Sequence, residues 1–324
     1  MKAIVTGGAG FIGSHVVDLL VSDGVDVVIV DNLSTGQEAY LNPKAKLVRA
    51  DIRQTDAWKH EVKDCDYFFH LAALPRIQPS FDEPVEHEDV NVIGTIRCLE
   101  AVKGSGIKKF VYSSSSAIYG NTERIPTPED TPPQLLNPYA LEKYAGEQYA
   151  LILGERFAIP VIALRYFNVY GPRSFNPKNP FNAYSSVIGI FNDQCRRGVP
   201  LTVTGDGSQR RDCIHVTDVA RANYAAARST LALRSYNVGC GNNYSVQEVA
   251  ELFSPNITHI AERKGEARVT VADVSRIAAE LNWKASIDLP EGVRLMKQLW
   301  QAAPPSRRDT AAAPEPRSEA NASL

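Results

Sequence analysis

The first half of the chain alternates short apolar runs with longer segments of helical periodicity. The apolar runs are rich in β-branched and aromatic residues, which is typical of strands buried on both faces of a sheet. They occupy residues 2–6, 26–30, 46–50, 66–70, 109–114 and 160–166. Helical patterns lie at 11–23, 84–104 and 138–157. Strands that alternate with helices predict an α/β fold with a Rossmann-type, doubly wound parallel sheet.

After about residue 168 the pattern becomes less regular. Residues 170–184 are dense in Pro and Asn, which indicates a loop near a site, and a strand at 235–239 is predicted to return to the main sheet. Further helices are predicted at 185–197, 216–228, 245–253, 274–281 and 290–301. We therefore expect a main domain at 1–168 and a smaller, interleaved α/β lobe at 169–302. Residues 303–324 contain almost nothing to bury and are expected to be a disordered tail.

Composition narrows the class of protein. The 324 residues are 44% hydrophobic and carry a net charge of −2, so no basic surface for nucleic acid or membrane is expected. The chain has no long apolar run, and it enters a strand at once, which leaves no room for a signal peptide. Its five cysteines include no C-x-x-C pair, and its six histidines no H-x-x-x-H pair. We expect a cytoplasmic protein with reduced thiols and without a metal site.

A glycine-rich turn, "TGGAGFIGSH", follows the first strand and opens the first helix. Gly7 suits a tight turn, Gly10 allows a close approach by a pyrophosphate, and Gly13 allows close packing of the helix. Phe11 and Ile12 begin the helix, whose free N–H groups and partial positive charge favour phosphate. The position of this turn between strand and helix predicts a dinucleotide site.

Asp31 ends the second strand, 18 residues after Gly13, and is followed by Asn32. A carboxylate there can accept both hydroxyls of the adenosine ribose and repel a 2′-phosphate, which predicts NAD and not NADP. The alternative is a turn or capping aspartate in "DNLSTG".

The ends of the third and fourth strands supply the other residues expected beside the cofactor. Asp51 is the expected acceptor for adenine, and Ile52 is its apolar cover. Leu71, Ala72 and Ala73 are small or apolar, which suits a backbone lying flat along the cofactor.

Tyr139 and Lys143 lie four residues apart in "NPYALEKYAGEQY", so a helix places them on one face. A free phenol has a pKa of ~10 and is a poor base at neutral pH, but a nearby positive charge favours its ionised form. The pair is either a proton-transfer device or a solvated surface pair.

Several motifs in order carry a family resemblance over residues 1 to about 300. They are "TGGAGFIGSH", "DN" at 31–32, "DI" at 51–52, "HLAA" at 70–73, "SSSSAIYG" at 113–120, "PYALEKY" at 138–144, "RYFNVYGP" at 165–172 and "GDGSQRRDCIHVTDVA" at 205–220. The chain resembles the extended short-chain dehydrogenase/reductases that act on nucleotide sugars, most closely the UDP-hexose 4-epimerases.

The resemblance implies catalytic roles for three residues. Tyr139 would be the general base, and Lys143 would hold the nicotinamide ribose and lower the tyrosine pKa. Ser115 would hydrogen-bond the sugar hydroxyl and help pass its proton. Ser113 would lie beneath the nicotinamide, and Phe167 against it.

On the substrate side, in the smaller lobe, the resemblance implies contacts with the diphosphate of a UDP-sugar. Asn168 would be an amide donor to it. Arg211 would pair with a phosphate, with Arg210 as an alternative. Arg263 would be the second phosphate-binding arginine, with Arg268 as an alternative.

Two positions depart from the enzymes confined to glucose and galactose. Thr270 falls where they carry a bulky tyrosine beside the sugar C2 substituent, so an acetamido group is expected to fit. Pro75 falls where they carry a lysine near the cofactor phosphates, and Arg76 is a candidate to replace that charge.

The implied reaction is NAD-dependent epimerisation at C4 of a UDP-hexose through a 4-keto sugar. Related dehydratases and decarboxylases carry an acid where this chain has Ser116 and Ala117. A UDP-glucuronate 4-epimerase, a dehydratase or decarboxylase, and a non-catalytic NAD-sensing regulator remain alternatives. In relatives the helices at 84–104 and 138–157 form a four-helix interface, so a homodimer is expected.

Overall fold

The computed structural model describes residues 1–75, 77–175, 186–261 and 267–301. The predicted tail at 303–324 and residues 176–184 of the Pro- and Asn-rich stretch lie outside these ranges.

The strands of the described ranges are β1 Lys2–Thr6, β2 Asp26–Asp31, β3 Lys46–Arg49, β4 Tyr67–His70, β5 Lys109–Ser115, β6 Val161–Tyr166, β7 Asn168–Tyr170, β8 Leu201–Thr204, β9 Arg210–Arg211, β10 Cys213–His215, β11 Arg234–Val238, β12 Tyr244–Ser245 and β13 Ile257–Ile260. The α-helices are α1 Phe11–Ser22, α2 Ile77–Asp82, α3 Pro84–Glu88, α4 Gly94–Val102, α5 Pro138–Phe157, α6 Val187–Arg196, α7 Val216–Arg228, α8 Val246–Phe253, α9 Ser275–Leu281 and α10 Leu289–Gln301. Short 3-10 turns occur at Glu38–Tyr40, Thr55–Ala57, Lys59–Val62 and Ser116–Tyr119, and a π-helical turn at Asp89–Ile93.

Seven strands form one parallel sheet in the order β11-β6-β5-β4-β1-β2-β3. In its centre Val5 lies opposite Ile29 of β2 on one side and Phe69 of β4 on the other. The predicted doubly wound parallel sheet is therefore confirmed. The strand order reverses between β1 and β4, and in such sheets a ligand crevice opens at the carboxyl ends of the strands at this point.

Each face of the sheet is buried by its own set of helices. Val5 and its alternate neighbours on the strands pack with α1, α7 and α9, whereas Ile4 and its alternate neighbours pack with α4 and α5. On the second face Phe68 and Phe110 stack at 5.1 Å between ring centroids. The period of two explains why these strands are apolar throughout, since both faces are covered.

A separate cluster of buried side chains lies in the smaller lobe. It is formed by α6, α8 and α10 with β8 and β10, and it includes Phe191, Val203, Phe253 and Met296. The chain returns from this lobe to the main sheet through β11, which pairs in parallel with β6. The domain boundaries remain a prediction, which this separate core supports.

The long helices match the sequence pattern most closely. The helices predicted at 138–157 and 216–228 are α5 and α7 with the same bounds, whereas the segment 84–104 is divided by the π-helical turn. Helix α2 and the strands of two to four residues in the smaller lobe were not predicted, because periodicity cannot be recognised over so few residues.

A buried ion pair fastens α5 to the sheet. The side chain of Glu147 is 0% exposed and accepts hydrogen bonds from Arg165 of β6. Arg165 Nη2 donates to Oε1 at 2.6 Å, and Arg165 Nε lies 3.1 Å from Oε1 and 3.0 Å from Oε2. Ser114 of β5 donates to the same carboxylate at 2.5 Å, and Ser235 of β11 at 2.9 Å. One side chain of α5 therefore holds three strands.

Candidate active site

The glycine-rich turn folds onto itself and onto the end of β4. Gly7 has φ +71°, and a Cβ there would lie 2.7 Å from the Ala72 nitrogen. A Cβ on Gly13 would lie 2.1 Å from the Gly7 carbonyl oxygen. The first hydrogen bond of α1 runs from Ser14 N–H to Gly10 O at 3.0 Å. The N–H groups of Phe11, Ile12 and Gly13 precede it and have no partner within the helix. This cradle, too tight for side chains, fits a dinucleotide pyrophosphate.

Asp31 is built into the same loop. One carboxylate oxygen accepts from Ala9 N–H at 3.0 Å, and the other from Leu33 N–H at 2.8 Å. Burial raises the pKa of Asp31, and these two N–H groups act in the opposite direction. The turn role that was the alternative is therefore present, and the ribose contact of Asp31 stays a prediction.

Asp51 is held by Arg53, which the sequence analysis did not single out. The Arg53 guanidinium donates to both carboxylate oxygens, at 3.0 and 2.8 Å, and keeps the pKa of Asp51 below its usual value. Asn32 also donates to Asp51, at 3.2 Å, and Arg53 pairs with Glu86 and Asp89. The carboxylate expected to receive adenine is thus fixed in orientation by a charged cluster.

The segment after β4 is anchored by Asn91, on the π-helical turn. Its amide brackets Leu74, accepting from the N–H at 2.8 Å and donating to the carbonyl at 3.0 Å. It also donates to Glu142 at 2.7 Å. Asn91 therefore connects the Leu71–Ala73 segment, which stays the predicted cofactor platform, with the residue that precedes Lys143. Ile52 is buried nearby, against Gly94.

Helix α5 begins so that Tyr139 lies in its first turn. Asn137 caps the helix by accepting from Ala140 N–H at 2.9 Å, and Pro138 occupies the first helical position. The Tyr139 N–H donates to Ser80 Oγ at 3.1 Å.

Lys143 follows one turn later and is only 5% exposed, which excludes a solvated surface position for it. Its Nζ lies 4.8 Å from the centroid of the Tyr112 ring. Burial lowers the pKa of Lys143 to about 8, although the carboxylates of Glu142 and Glu147 favour its charged form. A buried ammonium of this kind is typical of functional sites.

The serines at the end of β5 point to different partners. Ser113 Oγ lies 3.0 Å from the hydroxyl of Tyr166, and Ser114 donates to Glu147. Ser115 caps the following 3-10 turn by accepting from Ala117 N–H at 3.2 Å, and it is partly exposed. Ser114 is buried in the network that holds α5.

Asn168 lies in a cluster with Thr270 and the main chain of Asp212. Its Nδ2 donates to Asp212 O at 3.1 Å and to Thr270 Oγ1 at 3.3 Å, so both amide hydrogens have acceptors. The predicted donation to a diphosphate requires Asn168 to release one of them. Phe167 is buried beside Tyr119, with ring centroids 6.2 Å apart.

The carboxylate of Asp212 fixes the main chain around this cluster, a role that the sequence analysis did not predict. It accepts from the N–H groups of Cys240, Gly241 and Ala272 at 2.7, 3.0 and 3.0 Å. Burial raises the pKa of Asp212 to about 6. A sequence gives little signal for such a residue, because its partners are main-chain groups.

The candidate phosphate-binding arginines differ in their partners. The guanidinium of Arg210 pairs with the Glu248 carboxylate of α8 at 3.2 Å and donates to Asn243 Oδ1 at 2.8 Å. Arg211 donates to the carbonyl oxygens of Arg210 and Arg268 at 3.1 and 3.2 Å. Arg210 and Arg211 both stay candidates, and the phosphate contact of Arg211 stays a prediction.

Arg76 and Arg263 lie outside the described residues. Within the described ranges, we find no cluster of three or more His, Cys, Asp or Glu side chains arranged to hold a metal. None of the helices in those ranges is long and apolar enough to cross a membrane.

The glycine cradle, the Asp31 loop, the segment after β4 and the Ser115 strand end all lie at the carboxyl ends of parallel strands, with α5 alongside. This fold and site define a Rossmann-type, dinucleotide-dependent enzyme of the short-chain dehydrogenase/reductase class.

Comparison with known proteins narrows that class. The model of the NAD dependent epimerase/dehydratase family matches residues 3–239. A Methanocaldococcus jannaschii protein, provisionally named a UDP-glucose 4-epimerase, is 40% identical over 299 residues, which are 90% of this chain and 95% of that protein. The chain belongs to the NAD-dependent epimerase/dehydratase family.

Solved structures agree with this assignment. The UDP-glucose 4-epimerase of Thermotoga maritima with UDP-glucose has a TM-score of 0.88 and 34% identity, over 93% of this chain and 99% of that one. A UDP-N-acetylglucosamine 4-epimerase of Methanobrevibacter ruminantium, in complex with UDP-N-acetylmuramic acid, has a TM-score of 0.84 and 34% identity, over 92% and 98% of the two chains.

The burial of Lys143 predicts a pH dependence. Its ammonium is present below pH 8 and is lost as the pH rises through about 8. We expect kcat/KM for a nucleotide-sugar substrate to fall on the alkaline side with an apparent pKa near 8, in a pH–rate profile of the NAD-loaded enzyme. In Lys143→Arg this limb should disappear from the remaining activity, because a guanidinium keeps its charge. A wild-type profile that stays flat to pH 10 is incompatible with this role.

Proposed function

We propose that this protein is an NAD-dependent epimerase that inverts C4 of a UDP-hexose through a 4-keto sugar. The observation that carries the proposal is the buried Lys143, one helical turn after Tyr139 and close to the strand that ends at Ser115. Family membership and the names of the similar proteins support the same reaction.

The residues of the site fit a bound NAD. Gly7, Gly10 and Gly13 would receive its pyrophosphate, Asp31 its adenosine ribose and Lys143 its nicotinamide ribose. When bound, NAD supplies the acceptor and later the donor of the hydride at sugar C4. The net reaction would therefore consume no outside reductant.

The chain itself handles the proton. Tyr139 takes the proton from the sugar 4-hydroxyl, and the Lys143 ammonium lowers the cost of the resulting phenolate. Ser115 hydrogen-bonds the same hydroxyl and keeps it in line with the phenol. After the 4-keto sugar has turned in the site, Tyr139 returns the proton to the oxygen at C4.

Elimination of water is disfavoured because the first two residues of the 3-10 turn after β5 have no acidic side chain. The positions at which related dehydratases and decarboxylases carry an acid are Ser116 and Ala117. Neither side chain can protonate a leaving hydroxyl at C6 at neutral pH. A UDP-glucuronate 4-epimerase uses the same C4 chemistry and is separated from the main proposal by the choice of substrate alone.

The reaction is tested by proton NMR of the protein incubated separately with UDP-galactose, UDP-N-acetylglucosamine and UDP-glucuronate. We expect the C4 epimer of at least one substrate to form. In Tyr139→Phe we expect turnover to fall by more than about a hundredfold, since a positioned acid–base group contributes ~10²–10⁴. Bound NAD should remain in the variant, because the ring is kept. Turnover within tenfold of wild type would refute the role of Tyr139 as the general base.

Thr270 supports a substrate range that includes acetamido sugars. Its side chain is smaller than tyrosine, and one structural neighbour is named as a UDP-N-acetylglucosamine 4-epimerase. Its hydroxyl also accepts hydrogen bonds from Asn168 and from the N–H of Asp212, at 3.3 and 3.2 Å. A substitution there therefore changes both bulk and hydrogen bonding.

Thr270→Tyr should lower kcat/KM for UDP-N-acetylglucosamine by about tenfold or more while changing that for UDP-galactose by less than about threefold, through a clash at C2. Thr270→Val is the matched control, because it removes the hydroxyl and keeps the shape. The change in kcat/KM caused by Thr270→Val on each substrate gives the effect of losing the hydroxyl. The additional change in Thr270→Tyr gives the effect of bulk. If Thr270→Tyr affects both sugars equally, or neither, Thr270 does not line the C2 pocket.

A homodimer through α4 and α5 is also part of the proposal, since these helices present apolar side chains to solvent in the single chain. Leu141, Tyr149 and Ile152 lie on one stripe of α5, and Ile93 ends the π-helical turn directly before α4. Ile152 is 63% exposed. An exposed apolar stripe of this kind is typical of a protein interface.

We expect Ile152→Glu to convert a dimer into a monomer at micromolar concentration in light scattering, because a buried, unpaired carboxylate opposes the interface. Leu299→Glu on α10 is the control: Leu299 is 57% exposed and lies on another helix, so the dimer should persist. A monomeric wild-type protein would overturn the proposal.

The five cysteines are free, two of them only partly buried, which favours a cytoplasmic location, where thiols stay reduced. Fractionation of the cells that produce the protein tests this location, and recovery of the protein outside the cytoplasm would overturn it.

A further inference from the structure

A short stretch at the beginning of the smaller lobe lies directly against the nucleotide side of the Rossmann domain. His15 Nε2 of α1 donates to Pro172 O at 3.0 Å, and Tyr40 donates its hydroxyl hydrogen to Phe175 O at 3.3 Å. Burial lowers the pKa of His15 to about 4, so its ring is neutral and Nε2 carries a hydrogen for this bond. These contacts connect the two lobes on the side of the sheet where α1 begins.

Arg173 lies between these two contacts. Its Nη1 is 2.8 Å from Asp18 Oδ2 of α1, at an angle that makes the contact an ion pair and not an aligned hydrogen bond. Its guanidinium also lies over the ring of Tyr40, 5.6 Å from the centroid. We call this set of residues the clasp: His15, Asp18, Tyr40, Pro172, Arg173 and Phe175.

The backbone of Arg173 is strained. Its φ is +68°, in the left-handed region that side chains other than glycine, Asn and Asp rarely adopt, at a cost of ~1 kcal/mol. The contacts of the side chain offset that cost. A position that glycine would occupy without strain is therefore held by an arginine whose guanidinium reaches across to the other lobe.

The clasp is connected to the phosphate cradle by hydrogen bonds. Gln37 donates from Nε2 to the Tyr40 hydroxyl at 3.0 Å, and the Gln37 N–H donates to Ala9 O at 2.9 Å. Ala9 lies between Gly7 and Gly10 in the cradle, and its own N–H binds Asp31. Contacts thus run from Arg173 through Tyr40 and Gln37 to Ala9, which lies in the cradle and binds Asp31.

We propose that Arg173 is a positioning residue for the cofactor. Through its contacts with Asp18 and Tyr40, Arg173 holds the smaller lobe over the phosphate cradle and thereby retains NAD. This inference rests on the proposed function, because an epimerase must keep the same NAD through two hydride transfers. The dinucleotide leaves only after the clasp opens.

Release of NAD from the purified holoenzyme tests the proposal. Free NAD is removed, and bound NAD is followed with time while a dehydrogenase couple consumes what is released. Arg173→Gly removes the guanidinium and relieves the strain, so it is expected to fold. It should release NAD about three- to tenfold faster, the sum expected for a partly exposed ion pair and a cation–π contact. Arg173→Lys keeps a positive charge and should release NAD more slowly than Arg173→Gly.

Two controls separate a clasp from general packing. Arg294→Ala breaks an exposed ion pair with Glu291 on α10 and should leave NAD release unchanged. Asp18→Asn should speed release, and the double variant with Arg173→Gly should be no faster than Arg173→Gly alone, because both remove one interaction. Equal release from wild type and Arg173→Gly, or additive effects in the double variant, would overturn the proposal. Absence of turnover in NAD-loaded wild-type protein would instead overturn the proposed function.

Discussion

The ion pair between Glu147 and Arg165 is the constraint on which the geometry of the site depends. Both groups are buried, so removing the two charges from water has a cost. Further hydrogen bonds offset it: the carboxylate accepts from Ser114 and Ser235, and the guanidinium donates to the Tyr119 hydroxyl and to Glu129 O. Leaving either charge unpaired costs ~3–5 kcal/mol. Helix α5 therefore has one rotation about its axis that is strongly favoured over others. That rotation sets where Tyr139 and Lys143 lie relative to the strand that ends at Ser115.

The rest of the site extends this constraint outward. Asn137 fixes where α5 begins, and Asn91 connects Glu142 on α5 to the segment after β4. On the other side of the crevice, Asp212 connects Asn168 to the segment that carries Thr270. The two lobes thus carry the proposed proton chemistry and the proposed sugar contacts on separately fixed frames. A sugar that turns between two hydride transfers needs such fixed surroundings with free space between them.

The sequence predicted those parts of the molecule whose cause is local. Apolar runs marked the strands of the sheet, and a helical pattern at 138–157 marked α5. The glycines marked the phosphate turn, because backbone conformation there restricts the residue type. Glu147, Arg165 and Asp212 were not recognised, because a charged residue is ordinarily assigned to the surface until the fold brings its partner close. Arg173 was missed for the same reason, because its partner Asp18 lies 155 residues away in the chain. The contacts of Arg53 with Glu86 and Asp89 likewise form only in the folded chain.

The proposed reaction requires that the hydride removed from sugar C4 stays in the site and returns to C4. Deuterium at C4 of UDP-galactose tests it directly. In a mixture with substrate that has hydrogen at C4 and a distinguishable mass, we expect the product UDP-glucose to keep the deuterium at C4, with no transfer between molecules and no label in water. Deuterium that appears in water, or in the product of the unlabelled substrate, would contradict the account.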